Sequence, residues 1–251
     1  MLIALAGPGS AIAIDAASFI ASAACLALMS SATAVRAEHE AVGRFVAQVK
    51  EGWREISSRR WLRSFMVVLG GYHLIALPCV LALGPVVADR ELEGASSWAV
   101  IVTLFGVGAV IGAALGLRLT PRRPMIACGV AFVAASCQPV IIAGAGSTLA
   151  IGAFELLAGI GVAYGFTLWE TTLGREVPAR ALSRVTSFDW FASVGVLPIG
   201  FAVVGPLADF AGLHTTMYVA SAVMVAVSVA SLAVADLRRL EYRPEAVAAS
   251  A

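Results

Sequence analysis

The sequence predicts an all-helical bundle embedded in a membrane, and three observations carry that prediction. Apolar residues make up 60% of the 251-residue chain and charged residues only 13%, about half of what soluble domains carry. Seven apolar runs, each near the roughly 20 residues a helix needs to cross a bilayer core, follow one another between charged connections. Of the 17 Lys and Arg residues, 16 fall in four segments that seven alternating spans place on a single face, which the positive-inside rule makes the cytoplasm. The formal net charge of +1 removes the basic excess of a nucleic-acid binder.

The elements follow in order. The first run, 11–29, holds Asp15 near its outer end and is followed by Ala32-Thr33-Ala34, which resembles a signal cleavage site. No positive charge precedes it, so it reads as a span with an outer N-terminus. Residues 30–63 carry seven basic residues and form a cytoplasmic connection. Within it Val42, Phe45, Val46, Val49, Trp53 and Ile56 recur at helical spacing opposite Arg44, Gln48, Glu51 and Glu55, the pattern of a surface helix over 40–58. The pairs Glu40–Arg44 and Glu55–Arg59 have the favourable four-residue orientation. Six further spans are expected at 64–88, 98–117, 124–143, 149–173, 187–208 and 213–235, within a helical portion 64–243 that ends in a tail, 244–251. The basic groups Arg118, Arg122 and Arg123, then Arg175, Arg180 and Arg184, then Arg238, Arg239 and Arg243 mark the inner loops, with Arg90 the exception. Trp61 and Trp98 fall at opposite water boundaries and read as interface anchors. Cys25, Cys79, Cys128 and Cys137 lie in apolar runs without metal-ligand spacing and read as small core residues.

Gly108, Gly112 and Gly116 form a ridge without side chains that admits a close helix neighbour, as do Gly161 and Gly165. Gly70-Gly71, Pro78, Pro139 and Pro198 are helix breakers that release backbone groups. Such residues suit mobile, cavity-lining helices, although glycine and proline are common in membrane helices generally.

Five ionisable groups fall at membrane depth: Asp15, His73, Glu155, Glu170 and Asp189. Burial there is costly enough to make each a functional candidate. Asp15 and Glu155 belong to an outer tier. His73, beside Tyr72, lies near mid-depth. Glu170 and Asp189 form an inner tier close to Arg118, Arg122, Arg123 and Arg184, where a gate of ion pairs or a substrate site is expected. Tyr72, His73, Phe105, Glu155 and Tyr164 are the candidates for a substrate or proton path; the alternative for Glu155 and His73 is hydrogen-bonded packing.

Several classes lack their residues. The only lysine, Lys50, lies in the surface helix, where it cannot form a retinal Schiff base. No His-Glu-x-x-His, no membrane Gly-x-Gly-Asp pair, no glycine-flanked serine with a histidine partner and no phosphate-binding glycine loop is present. A seven-helix receptor without a pigment stays open. Neither a metal nor a cofactor is expected, nor enzymatic activity.

The run Trp169-Glu170-Thr171-Thr172-Leu173, with Val177-Pro178, Leu182-Ser183-Arg184-Val185, Ser187-Phe188-Asp189-Trp190, Gly200 and Gly205-Pro206-Leu207-Ala208-Asp209, resembles the junction of helices ten and eleven in the major facilitator superfamily. The likeness is to its transmembrane secretion effector branch, which includes enterobactin exporters, and covers nearly the whole chain. Arg118 to Pro124 is similar to the basic loop between helices eight and nine, without the acidic residue of that loop, so a gate there would use Glu170 or Asp189. Leu2 to Phe19, with Gly7-Pro8-Gly9 and Ala13-Ile14-Asp15, is similar to the end of helix five and helix six, and 40–58 to the surface helix joining the two halves. The resemblance implies secondary active, proton-coupled efflux of a small amphipathic molecule such as a drug or siderophore. It also implies that helices one to four and most of five are absent. The chain would then be the C-terminal half plus helix six, inactive as a lone monomer or acting by association with a missing N-terminal half or another chain.

Overall fold

The computed structural model describes residues 2–28, 42–144 and 146–242, so the expected tail 244–251, the first part of the connection after the first span (30–41), and the Glu40–Arg44 pair lie outside the described residues. The chain divides into two units, Met1–Phe45 and Val46–Ala251. The first contains helix α1 (Leu2–Leu28), which covers the first expected run, but its described apolar part, Ile12–Ala27, is shorter than a full membrane span. Its described side chains from Ile12 to Ala27 are all exposed, Asp15 and Cys25 among them, so Cys25 departs from the expected core role.

Helix α2 (Val42–Ser58) is the expected surface helix. After it come six helices long and apolar enough to span a membrane: α3 (Arg60–Glu91), α4 (Ala95–Arg118), α5 (Pro124–Ala143), α6 (Thr148–Glu176), α7 (Ala179–Ala211) and α8 (Leu213–Leu232). A short α9 (Ala235–Arg239) follows. The helical segments of α3 and α7 begin before the apolar runs at 64 and 187, because arginines in the first turns reach water while the backbone stays hydrogen-bonded.

Contacts between ends confirm the alternation. On one face Arg59 donates to the Glu176 carbonyl at 2.6 Å, Arg184 pairs with Glu51 at 2.7 Å, and Arg123 pairs with Glu241 at 3.3 Å. There too the Arg175 guanidinium lies 4.3 Å from the centre of the Tyr242 ring. The opposite face joins His214 to Glu91 at 2.8 Å and Thr148 to Ser97 at 2.8 Å. The basic segments thus share one face, as the charge pattern requires.

In α2, Ile56 is buried and Gly52 lies against the Phe188 ring, while Val49 and Trp53 stay exposed. The helix therefore seats one narrow strip on the inner end of α7 and leaves Val49 and Trp53 for the interface. Glu55 and Arg59 form the expected pair at 2.6 Å. Trp61 is 6% exposed and packs edge-on against Trp169 at 6.0 Å, in a buried aromatic cluster with Phe65 and Phe132. It is a core residue rather than an anchor, because α3 begins at Arg60 and turns the indole towards α6. Trp98 is half-buried over Gly84.

The glycine ridge of α4 does what its spacing predicts. A Cβ on Gly108 or Gly112 would strike the carbonyls of Leu156 and Ile160, and one on Gly116 the Thr167 side chain. The reciprocal glycines on α6 are Gly152 and Gly159, which meet Leu104 and the Phe105 carbonyl. Gly161 and Gly165 face α5 instead, where a Cβ would lie 3.5 Å from Ala131 at the first and a tighter 3.3 Å from the Phe132 ring at the second. Gly70-Gly71 do not break α3; the backbone there is helical, and the two positions admit the Ala192 carbonyl on one side and Met224 on the other.

Of the three prolines expected as breakers, Pro139 and Pro198 interrupt their helices and Pro78 does not. Pro78 separates two π-helical stretches, Tyr72–Ala76 and Cys79–Leu83. Pro139 and Pro198 each lie in the first turn of a restarted segment, Gln138–Ala143 and Leu197–Ala211, where a missing N–H costs nothing. At the α5 break the N–H of Val140 donates to Ser221 Oγ of α8 at 2.9 Å, the internal partner a membrane demands.

Replacing Gly112 by leucine should force α4 from α6 and cost about 1–3 kcal/mol or more, the range for overpacking. Gly106→Ala, where nothing lies within 4 Å, should be near neutral. Denaturation midpoints of the purified variants in detergent check both; equal midpoints would rule out a tight α4–α6 seam.

Candidate functional site

Two polar clusters lie inside the helical unit, and both grow from the irregular middle of α3. Leu77 N–H bonds back to the Tyr72 carbonyl, five residues away, so the turn carrying Tyr72 and His73 is widened. Adjacent residues of a helix diverge by about 100°. Tyr72 therefore reaches α5 while His73 faces α6 and α7.

On the first side, Tyr72 OH donates to Gln138 Oε1 at 2.8 Å, and Gln138 Nε2 donates to Glu155 Oε2 at 2.7 Å. All three residues are buried. The break in α5 after Ser136 and Cys137 restarts the helix at Gln138, whose amide bridges one donor and one acceptor across three helices. Glu155 Oε1 has no hydrogen-bond partner among the described residues. Gln138 and Glu155 form the polar part of a small cavity of about 60 Å³ whose other walls include Trp98 and Phe105.

On the second side lies a larger cavity of about 520 Å³ between α3, α6 and α7, lined by His73, Phe166, Glu170, Asp189, Trp190 and Ser193, with Thr167 and Thr171 beside them. His73 Nδ1 donates to the Leu69 carbonyl at 2.9 Å, which leaves Nε2 for another partner. Asp189 accepts from Trp169 Nε1 at 3.1 Å through Oδ2, whereas Oδ1 and the Ser193 hydroxyl have no partner among the described residues. Asp189 is 7% exposed and Ser193 6%, so two polar atoms await a donor or acceptor in an aromatic-walled space. The break in α7 at Val194 to Val196 directly follows Ser193 and borders this cavity. The His73 ring lies 5.6 Å from Tyr72 and 6.0 Å from Phe166, between the two clusters.

The candidates thus separate. Tyr72, Phe105 and Glu155 meet in the first cluster; His73, Glu170 and Asp189 meet in the second. Tyr164 belongs to neither: its hydroxyl donates to the Leu119 carbonyl at 3.1 Å and caps the end of α4. Asp15 sits exposed in the first unit. Asp189 stands ten residues into α7, just over one turn beyond Arg184 and at the inner end of the apolar run, as expected from the sequence. The expected ion pairs of Glu170 or Asp189 with Arg118, Arg122, Arg123 or Arg184 do not occur among the described residues. Arg123 and Arg184 use Glu241 and Glu51 instead, carboxylates that lie in the water-exposed layer where guanidinium groups keep their hydration. Arg118 and Arg122 are exposed at the α4–α5 connection.

Gln138, Phe166, Trp190 and Ser193 were not among the sequence candidates. Gln138 had a usable signal, being the only carboxamide within the expected spans, and buried amides are costly for the same reason that charges are. Ser193 had none, since serines recur through these helices.

A family model described as transmembrane secretion effector matches residues 1–248. The multidrug efflux pump Tap of Mycobacterium tuberculosis and that of Mycobacterium bovis are each 26% identical to this chain over 210 residues. That match covers 80% of the chain and 48% of each pump, so the chain spans about half the length of the curated relatives it matches. No solved structure matches.

Gln138→Leu should leave both the Tyr72 hydroxyl and the Glu155 carboxyl without a partner and destabilise the protein by about 1–3 kcal/mol. Adding Glu155→Leu should restore much of that loss, since removing both members of a buried polar pair is far less costly than removing one. Unfolding midpoints of the single and double variants in detergent test the coupling; additive losses would exclude it.

Proposed function

The chain belongs to the transmembrane secretion effector family of the major facilitator superfamily, and from that premise we propose that it supplies the C-terminal six-helix half of a proton-coupled exporter of small amphipathic molecules. It is a multi-pass integral membrane protein and, by family, a transporter rather than an enzyme. The observation that carries the proposal is the cavity bordered by Asp189, Ser193 and His73. Its unpartnered oxygens suit a polar or charged group on the substrate, and its Phe166 and Trp190 walls suit an apolar body. Relatives named as multidrug efflux pumps support drug-like cargo.

Members of this superfamily alternate access by rocking two six-helix halves about a midplane site. The second unit of this chain supplies one such set of spans, so transport requires a further half, in the same polypeptide or from another chain. Proton coupling needs a group whose surroundings change during the cycle. Asp189 and His73 share the substrate cavity, and Glu155 stands on the hydrogen-bonded path beside it. Arg118, Arg122, Arg123 and Arg184 are the gate candidates, held in this conformation by Glu51 and Glu241 where they are paired.

Two measurements test this reading. Proteoliposomes holding only the 251-residue chain should release a fluorescent amphipathic dye under a pH gradient no faster than empty liposomes; active release would overturn the single-half account. In an exporter completed by a second half, Asp189→Asn should reduce gradient-driven efflux by at least about tenfold, the effect of about 1.4 kcal/mol, while an exposed control, Glu176→Gln, should retain it. Full activity of the Asp189 variant would remove this cavity from the transport path.

A further inference from the structure

A second groove, outside the cavities already described, runs between the inner ends of α3 and α8 beneath α9 and measures about 720 Å³. At its rim are Arg60 and Arg63, and below them Val67, Val227 and Ala230 make an apolar wall. Val67 follows Arg60 by seven residues, so charge gives way to hydrocarbon over about 10 Å, the depth over which a lipid passes from headgroup to acyl chain. Among the described residues neither arginine forms an ion pair; Arg63 makes only a 3.3 Å bond to the Ser57 carbonyl. Both guanidinium groups are exposed at the face where the basic segments gather.

The carboxylate among the lining residues is Asp236, in the first turn of α9, where a helix N-terminus favours it. Arg60 and Arg63 against this one carboxylate leave the rim net positive. A lipid tail gains nothing by leaving other tails for an apolar groove. Selectivity must therefore come from the headgroup, and paired guanidinium groups are matched to a phosphate diester.

We propose that this groove binds one anionic phospholipid of the cytoplasmic leaflet, its phosphate on Arg60 and Arg63 and one acyl chain along Val67, Val227 and Ala230. The site stands on a different part of the molecule from the transport cavity and does not depend on the transport reading. The net positive rim favours a headgroup without an amine over a zwitterionic one.

The test uses the purified full chain, stripped of lipid and titrated with phosphatidylglycerol, phosphatidylethanolamine or phosphatidylcholine in mixed micelles, with retention read by native mass spectrometry. Wild type should keep one phosphatidylglycerol with at least about tenfold preference over either zwitterion, and Arg60→Gln with Arg63→Gln should abolish that preference. Equal retention of all three lipids, a preference for phosphatidylethanolamine, or an unchanged preference in the double variant would each overturn the proposal. Competition by glycerol 3-phosphate as effective as the whole lipid would also overturn it, identifying a phosphate site. If the double variant does not fold, Asp236→Asn serves: it should strengthen phosphatidylglycerol retention, and unchanged or weaker retention counts against the site.

Discussion

Water is missing from the hydrocarbon layer, and the rest of this structure depends on how its polar groups find partners without it. Helices satisfy their own backbones, so the cost falls on side chains and on places where the backbone ladder is broken. Tyr72, Gln138 and Glu155 meet the demand by bonding to one another across three helices. Val140, left over at the α5 break, borrows the Ser221 hydroxyl of α8. Asp189 Oδ1, Ser193 Oγ and Glu155 Oε1 are buried without partners among the described residues, and two of the three border the larger cavity. In an apolar medium such atoms are costly, which is what sets them apart from ordinary packing groups.

Helix irregularity and polarity coincide. The π turn of α3 starts at Tyr72, the α5 break precedes Gln138, and the α7 break follows Ser193. Each proline spares the backbone a hydrogen bond it would otherwise have to make, and each break sets a polar side chain between helices. The α4–α6 seam is the opposite kind of element. There, glycines bring two regular helices together backbone to backbone, giving a stiff pair beside the irregular α3 and α7. A rocking transporter needs both behaviours, one part that holds its shape and one that lines a changing cavity.

The inner face shows why charge proximity in sequence is a weak guide to pairing. Arg184 stands five residues from Asp189 on one helix, yet it turns outward to Glu51 while Asp189 turns inward to Trp169. Exposed ion pairs of this kind contribute about 0–1 kcal/mol each and exchange partners readily. A buried aspartate accepting from an indole has few alternatives. The two carboxylates that sequence reading placed in one tier, Glu170 and Asp189, therefore share a cavity without sharing an arginine.

The sequence by itself determined the membrane class, six of the seven expected spans, the common face of the basic segments, the close seam at Gly108, Gly112 and Gly116, and the family. All of these follow from local quantities: apolar run length, charge placement, small-residue spacing and a continuous motif. It also named most of the ionisable residues of the two polar clusters, because an ionisable group at membrane depth is conspicuous wherever it lies. Only the tertiary structure decided their company. Gln138 joined Glu155 to Tyr72, Ser193 joined Asp189 and His73, Tyr164 left the candidate path for the end of α4, and Trp61 left the interface for the core. The physical reason is rotation about the helix axis. Depth can be counted along a chain at a fixed rise per residue, but the direction a side chain faces depends on where each helix starts and on every π turn and proline break along it.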